Sequence, residues 1–188
     1  DQSRMICKSI LKTIRRYSKK KPKVGVAFSS GAFVPPNDSP DAIEKARRMT
    51  TETSNGLMSN RWWMDPMILG KPVRAYGIYH SDAKNMEAIC QPLDFMGLNI
   101  YTSFNYAGWG NGKEIPPEGT QKNSLGWVID ERCMYWNVKF MYERYGLPIM
   151  ITENGLAAND IIDKDGKVHD PQRTDFIRRY LGQLSQAI

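Results

Sequence analysis

The segment LPIMITENGLA, residues 147–157, runs through apolar side chains to one carboxylate, Glu153, and then to Asn154-Gly155. The apolar run is typical of a buried strand, and the Asn-Gly pair favours a turn after it. A carboxylate costs free energy wherever water is scarce, so its place at the end of a buried strand indicates a chemical role. The alternative for Glu153 is a local ion pair at the strand end.

The sequence predicts buried strands that alternate with helices, and these elements would position Glu153. Apolar runs predict the strands at residues 23–30, 93–103 and 147–153. Helical spacing and capping residues, among them Ser39, Ser81 and Gly146, predict the helices at 4–18, 39–52, 81–90, 130–146 and 170–188. Because the strands are apolar throughout rather than alternating, we expect an α/β fold with parallel strands covered on both faces. In such folds the chemical groups gather at the carboxyl ends of the strands.

Two further segments are interpreted as structural. Asp165-Gly166 predicts a small hairpin within residues 160–170. The adjacent Trp62 and Trp63 are expected on one helix, where neighbours cannot face the same way.

The composition is that of an ordinary globular domain, with 41% hydrophobic and 24% charged residues among 188. The net charge of +6 comes mainly from residues 12–23, KTIRRYSKKKPK. This basic segment could bind nucleic acid or anionic lipid, but we favour a solvated helix end, where the helix dipole stabilises Lys and Arg. We expect neither nucleic acid nor a membrane as a partner, since no apolar run approaches the roughly 20 residues that span a bilayer.

The three cysteines, Cys7, Cys90 and Cys133, are widely spaced and form no Cys-x-x-Cys pattern. They predict neither a disulfide framework nor a zinc site, and a reducing, cytoplasmic compartment fits best. His80 and His169 are too isolated to suggest a metal centre. We therefore expect no metal and no cofactor.

The strand ends resemble those of the family 1 glycoside hydrolases, the β-glucosidase and 6-phospho-β-glucosidase family. ITENG, residues 151–155, matches the family's nucleophile motif, and DFMGLNIYTS, residues 94–103, matches its Asp-Phe-Ile-Gly-Leu-Asn-Tyr-Tyr-Thr-Ser segment. Three further stretches resemble family segments in the family's order: WWMDPMILGKP, LGWVID and GKVHDPQRTDFIRRYL. The resemblance runs from about Val24 to the end of the chain.

The resemblance implies part of a (β/α)₈ TIM barrel, with three parallel strands and flanking helices that are incomplete as a barrel on their own. Residues 1–188 would form one partial segment around the family's fifth to seventh strands. The family's acid/base motif, Thr-x-Asn-Glu-Pro, ends its fourth strand, and no Asn-Glu-Pro occurs in the sequence. The segment is expected to carry the nucleophile side of the active site.

The same resemblance implies roles for four residues. Glu153 matches the nucleophile of a retaining mechanism, which uses two carboxylates roughly 5–5.5 Å apart. Tyr101 matches the tyrosine that donates a hydrogen bond to the nucleophile and so favours its charged form. Asn99 matches a position that lines the sugar site, and Trp127 resembles the tryptophan on the leaving-group side. The alternatives are structural: a core tyrosine, a loop-capping asparagine and a core tryptophan.

The implied function is a retaining β-glycosidase that hydrolyses terminal β-linked sugars, present here as a segment that lacks the acid/base glutamate and is nearly inactive alone. The alternative is a non-catalytic carbohydrate-binding or scaffold protein derived from that family. The expected partners are a β-glucoside or oligosaccharide substrate and either the missing barrel segments or a second copy of the chain. The sequence leaves glucose, galactose and 6-phosphoglucose open as the preferred sugar.

Because of its exposed strand residues, the chain is expected to self-associate, to pair with the missing barrel half, or to be a piece of a larger ordered protein. A barrel segment on its own would expose its unpaired strand edges and the side chains that face the barrel centre. The residues predicted to face that centre are Val24, Val26, Phe95, Leu98, Ile149 and Ile151.

Overall fold

The computed structural model describes residues 2–53, 59–75, 78–79, 83–106 and 114–188. Within these residues the helices are α1 (Gln2–Tyr17), α2 (Pro40–Arg48), α3 (Asn60–Met64), α4 (Ala83–Ile89), α5 (Arg132–Tyr145) and α6 (Pro171–Ala187). The strands are β1 (Gly25–Ser30), β2 (Arg74–Ala75), β3 (Ile78–Tyr79), β4 (Phe95–Ile100) and β5 (Ile149–Glu153). Short π-helical turns follow α2 and α3, at Met49–Thr53 and Asp65–Leu69.

The main sheet has the strand order β1-β4-β5, and both strand pairs are parallel. Gly25 is paired with Phe95, and Met96 is paired with Ile149. Because parallel strands need a crossover, helices separate them in the chain. The prediction of three adjacent parallel strands that do not close a barrel is therefore confirmed.

The helix ends follow the capping residues of the sequence. Ser39 accepts a hydrogen bond from the backbone N–H of Ala42 before α2, and Gly146 ends α5 with a φ of 63°. Such a positive φ suits glycine because it lacks a Cβ. The predicted cap at Ser81 lies outside the described residues.

Residues 160–170 form a turn and not the predicted hairpin. The N–H of Gly166 donates to the carbonyl of Asp163 at 2.8 Å, so the Asp-Gly turn is present, but neither flank is a strand. Ile161 and Val168 on its two sides remain 75% and 49% exposed. A two-stranded hairpin without an apolar face to bury is marginal, which explains the missing ladder.

One face of the sheet is covered by helices and forms the core. Phe28, Met96, Leu98 and Ile100 lie on this face and are buried, together with residues of α5 and α6. Leu98 is 0% exposed, so its predicted place at a barrel centre is wrong. Successive side chains of a strand point to opposite faces, and the apolar run gave no indication of which face each residue takes.

The opposite face of the sheet is open to solvent and carries mostly small or polar side chains, with Phe95 and Met150 as apolar exceptions. Ala27 and Ser29 of β1 are exposed there, Asn99 of β4 is partly exposed, and Met150 and Thr152 of β5 are exposed. Of the six residues predicted to face the barrel centre, Phe95 is the one whose position in the alternation agrees with this face. The open face is therefore better suited to contact a polar ligand than to form part of a hydrophobic core.

A buried ion pair ties the π-helical turn after α3 to α5. Arg144 donates to Asp65 through two nitrogens, at 3.0 and 2.6 Å, and the Tyr145 hydroxyl donates to the same carboxylate at 2.8 Å. Asp65 is only 2% exposed, so these three donors compensate the loss of its hydration. The two neighbouring tryptophans point in different directions, as expected: Trp62 is buried and Trp63 is exposed.

Three findings concern the described part of the chain alone. No helix there is long and apolar enough to cross a membrane. No group of three His, Cys, Asp or Glu side chains there could hold a metal ion. Cys90 and Cys133 are free thiols.

Candidate active site

The carboxyl ends of β4 and β5 meet at an irregularity in the strand register. Leu98 is paired with Ile151, but the next residue, Asn99, is paired with Glu153, so Thr152 is an extra residue on β5. An extra residue of this kind bends the strand and changes the direction of the side chains that follow it. The irregularity brings Glu153 beside the end of β4.

The side chains of Glu153 and Tyr101 are hydrogen-bonded to each other at the ends of β5 and β4. The Tyr101 hydroxyl donates to a carboxylate oxygen of Glu153 at 2.5 Å, and Glu153 remains exposed to solvent. The bond raises the pKa of the Tyr101 hydroxyl above its ordinary value, and partial burial and the carboxylate charge act in the same direction. The pair is therefore a neutral phenol and a carboxylate oriented by it.

Asn99 lies on β4, two residues before Tyr101, which directly follows the strand. Its side-chain oxygen accepts a hydrogen bond from the Thr152 hydroxyl at 2.6 Å. With its oxygen bonded in this way, the Asn99 amide group has its two N–H donors available to a ligand at the strand ends. Ser29 of β1 is paired with Asn99 and is exposed, so the polar surface continues onto β1.

Trp127 reaches the site from a tight turn ahead of α5. The Asn123 side chain accepts hydrogen bonds from the N–H groups of Leu125 and Trp127, and the Asn123 N–H donates to the Trp127 carbonyl. Gly126 supplies the positive φ of 81° that the turn needs. The Trp127 ring meets the Tyr101 ring edge-on, with centroids 6.1 Å apart.

All four residues that the sequence singles out thus lie at one end of the sheet. Glu153 contacts Tyr101, Tyr101 contacts Trp127, and Asn99 is linked to β5 through Thr152. Their catalytic and binding roles stay predictions. The arrangement itself combines an exposed carboxylate, a phenol donor, an amide and an indole, a set that can bind sugar hydroxyls and the apolar face of a sugar ring.

Sequence reasoning missed two residues that hold this end of the sheet. The Asn154 side-chain amide donates to the Ile100 carbonyl at 2.8 Å, and the Tyr180 hydroxyl donates to the Tyr101 carbonyl at 2.9 Å. Asn154 lies within the ITENG motif, next to Glu153, but the Asn-Gly pair predicts only a turn. Tyr180 gave no signal, because its bond joins positions that lie 79 residues apart.

Solved structures place the chain in the class of (β/α)-barrel glycosidases. A Thermotoga maritima β-glucosidase in complex with glucoimidazole superimposes with a TM-score of 0.73 and 26% identity, over 96% of this chain and 41% of that one. A β-glucosidase from Exiguobacterium marinum does so with a TM-score of 0.71 and 26% identity, over 97% and 43%.

The chain belongs to glycosyl hydrolase family 1, whose model matches residues 5–188. Among curated relatives, β-glucosidase A of Thermotoga maritima is 30% identical over 88% of the chain. The aryl-phospho-β-D-glucosidase BglA of Bacillus subtilis is 36% identical over 51% of the chain. The chain spans 38% of the first relative's length and 22% of the second's.

Proposed function

We propose that the chain supplies the nucleophile side of the active site of a retaining β-glycosidase, as a single partial barrel segment of residues 1–188. The observation that carries the proposal is the 2.5 Å bond between Tyr101 and Glu153 at the carboxyl ends of neighbouring parallel strands. Barrel enzymes place their reacting groups at these strand ends. Membership of a family whose curated relatives include β-glucosidases supports the same conclusion.

Glu153 would attack the anomeric carbon of a β-linked sugar and form a covalent glycosyl-enzyme. The leaving oxygen takes a proton from a second carboxyl group, which then deprotonates the water that releases the sugar with retained configuration. Tyr101 would fix the direction of the attacking carboxylate by donating to one of its oxygens. The other oxygen of Glu153 is then the attacking atom.

Asn99 and Trp127 would bind the sugar. The Asn99 amide would donate to a ring hydroxyl close to the reacting carbon, since Thr152 already occupies its oxygen. The Trp127 indole would pack against the substrate on the leaving-group side, because C–H faces of sugars pack well on aromatic rings. The substrate class is therefore a β-glucoside or a short oligosaccharide that carries a terminal β-linked sugar.

The second carboxyl group would come from a barrel segment outside residues 1–188, in the same protein or in a partner chain. The sequence has no Asn-Glu-Pro, and the chain spans about two fifths of the length of its β-glucosidase relatives. General acid–base assistance is worth on the order of 10²–10⁴ in rate. The chain alone would therefore be nearly inactive on unactivated disaccharides such as cellobiose.

The test is to trap the glycosyl-enzyme with an activated 2-deoxy-2-fluoro-β-glucoside whose dinitrophenolate leaves with little acid assistance. Peptide mass mapping should then find one fluoroglycosyl group on the peptide that contains Glu153. Glu153→Gln should abolish labelling. The matched control is Glu143→Gln, which changes an exposed glutamate that pairs with Lys139 on α5 and should label normally.

A label on another carboxylate, with Glu153 unmodified, would refute the assignment of the nucleophile. Binding of the same glucoside without any covalent label would favour the second candidate, a non-catalytic carbohydrate-binding or scaffold protein. Fast cellobiose turnover by the purified chain would show that the second carboxyl group lies within residues 1–188.

A further inference from the structure

The backbone carbonyl groups of Ile100 and Tyr101, at the end of β4 and just after it, accept hydrogen bonds from side chains outside that strand. The pairing of β4 with β5 ends at Asn99 and Glu153. Beyond it, Asn154 donates to the Ile100 carbonyl and Tyr180 donates to the Tyr101 carbonyl. The backbone that carries the Tyr101 ring is therefore held by α6, the last helix of the chain.

Tyr180 is tightly packed in the core. The residue is 1% exposed, and its ring stacks on Phe176 one helical turn earlier, with centroids 3.9 Å apart and planes at 25°. Burial raises the pKa of the Tyr180 hydroxyl, and the Cys133 thiol of α5 adds to this effect. The hydroxyl is thus a neutral donor on a ring that has little freedom to move.

Neighbouring bonds place α6 against the segment that leads into α5. Arg179, adjacent to Tyr180, pairs with Glu131 at 3.2 Å, just before α5. The Thr102 hydroxyl donates to the Val128 carbonyl at 2.7 Å, next to Trp127. The end of β4, the Trp127 turn and α6 are therefore joined around Tyr101.

We propose that Tyr180 is a positioning residue, whose hydroxyl fixes the Tyr101 backbone so that the Tyr101 phenol meets Glu153. It touches neither Glu153 nor the sugar site that we assign, and it would reach Glu153 through Tyr101. Besides the Tyr101 carbonyl, its hydroxyl meets the Cys133 thiol and the Asp130 backbone. The inference rests on the proposed function for its catalytic meaning, but the geometry on which it stands involves no substrate. In the reaction, Tyr180 would keep the nucleophile oriented between turnovers.

The physical reason is that a partly buried carbonyl without a donor is costly. Removal of the Tyr180 hydroxyl would leave the Tyr101 carbonyl without this donor and with only part of its hydration. The chain can recover part of this by rotating the Tyr101 peptide toward water. Such a rotation carries the Tyr101 ring with it, and a hydrogen bond of 2.5 Å weakens steeply as its distance and angle change.

The test is Tyr180→Phe in the full chain, with NMR titration of tyrosine labelled with ¹³C at Cζ. Tyr101→Phe identifies the Tyr101 signal. We expect the Tyr101 titration midpoint in Tyr180→Phe to fall toward that of ordinary tyrosine, because the hydrogen bond to Glu153 that raises it is weakened. Tyr145→Phe is the matched control, since it removes another buried tyrosine hydroxyl that bonds Asp65, and it should leave the Tyr101 midpoint unchanged.

A Tyr180→Phe chain that melts lower but keeps the Tyr101 midpoint would show a purely structural role and overturn the proposal. If Tyr180→Phe does not fold, the proposal is tested on the chain that retains Tyr180. Its Tyr180 hydroxyl proton should exchange slowly with water and show a cross-peak to the Tyr101 backbone; fast exchange without a cross-peak would overturn the proposal equally. The fluoroglycoside trap tests the proposed function separately, since failure of Glu153 to label leaves these NMR results unaffected.

Discussion

A methyl group added at Gly97 should disturb the strand that carries the site. Gly97 lies on the open face of β4, paired with Ala27 on one side and Met150 on the other. A Cβ built there would lie 2.8 Å from the Thr152 Cγ2 and 3.0 Å from the Ala27 Cα. The first contact is shorter than real Cβ contacts allow, and the second meets backbone, which cannot rotate away.

Two opposing effects set the size of the loss. Overpacking of a well-packed site costs about 1–3 kcal/mol. Replacement of glycine by alanine also stabilises a protein by about 0.4–1 kcal/mol, because the unfolded chain has fewer conformations. The free energy of unfolding of Gly97→Ala should therefore fall by about 0–2.6 kcal/mol, with a mid-range value of about 1.3 kcal/mol. Because Thr152 must move, its 2.6 Å bond to Asn99 should lengthen as well.

Urea unfolding followed by circular dichroism measures the first effect, and the side-chain amide NMR signal of Asn99 reports the second. Gly182→Ala is the control: Gly182 lies inside α6, and a Cβ there meets nothing within 4 Å. The same methyl at that position should stabilise the chain by about 0.5–1 kcal/mol. An equal or higher stability of Gly97→Ala, with an unchanged Asn99 signal, would refute this account of the strand packing.

Three further outcomes are expected. Asp65→Asn should lower the free energy of unfolding by about 3–5 kcal/mol in urea, since Arg144 is then left partly buried without its carboxylate. Glu153→Gln should lower the pKa of Tyr101, measured by ¹³C NMR, because the charged acceptor that stabilises the neutral phenol is lost. The chain should self-associate in analytical ultracentrifugation, and Leu181→Glu should reduce this, because Leu181 is 57% exposed on α6.

Each of these outcomes has a result that contradicts it. An Asp65→Asn loss below about 1 kcal/mol would place that ion pair among weak surface pairs. A Tyr101 pKa that is unchanged or higher in Glu153→Gln would show that burial alone sets it. A chain that stays monomeric at all concentrations would show that its open strand edges and its exposed α6 residues do not promote association.

The strands could be predicted, and the candidate site residues could be singled out, because their signals are local. A continuous apolar run that ends on a carboxylate marks β5, and Tyr101 and Asn99 follow from a motif within one strand. The parallel order then follows from the helices between the strands. None of these inferences requires knowledge of which residues touch across the fold.

The features that escaped prediction depend on contacts between distant residues. The face on which Leu98 lies depends on the strand's rotation relative to α5 and α6, and an apolar run leaves that rotation open. The extra residue Thr152 shows only in the pairing of two strands that lie about fifty residues apart in the sequence. The predicted hairpin is absent for a different reason. The local turn is present, but its flanks bury no apolar surface that would stabilise two strands.

Contacts within the described part of the chain hold Glu153 in place although the barrel is partial. The bonds that orient Glu153 come from β4, β5 and α6, all within the chain: Tyr101 donates to Glu153, Asn154 to the Ile100 carbonyl, and Tyr180 to the Tyr101 carbonyl. Groups positioned by short-range bonds of this kind do not need the rest of the barrel to find their geometry. If the proposed function is right, the chain alone loses rate because a second carboxyl group and sugar ligands are absent, and not because Glu153 is misplaced. Addition of the missing segments should then restore activity.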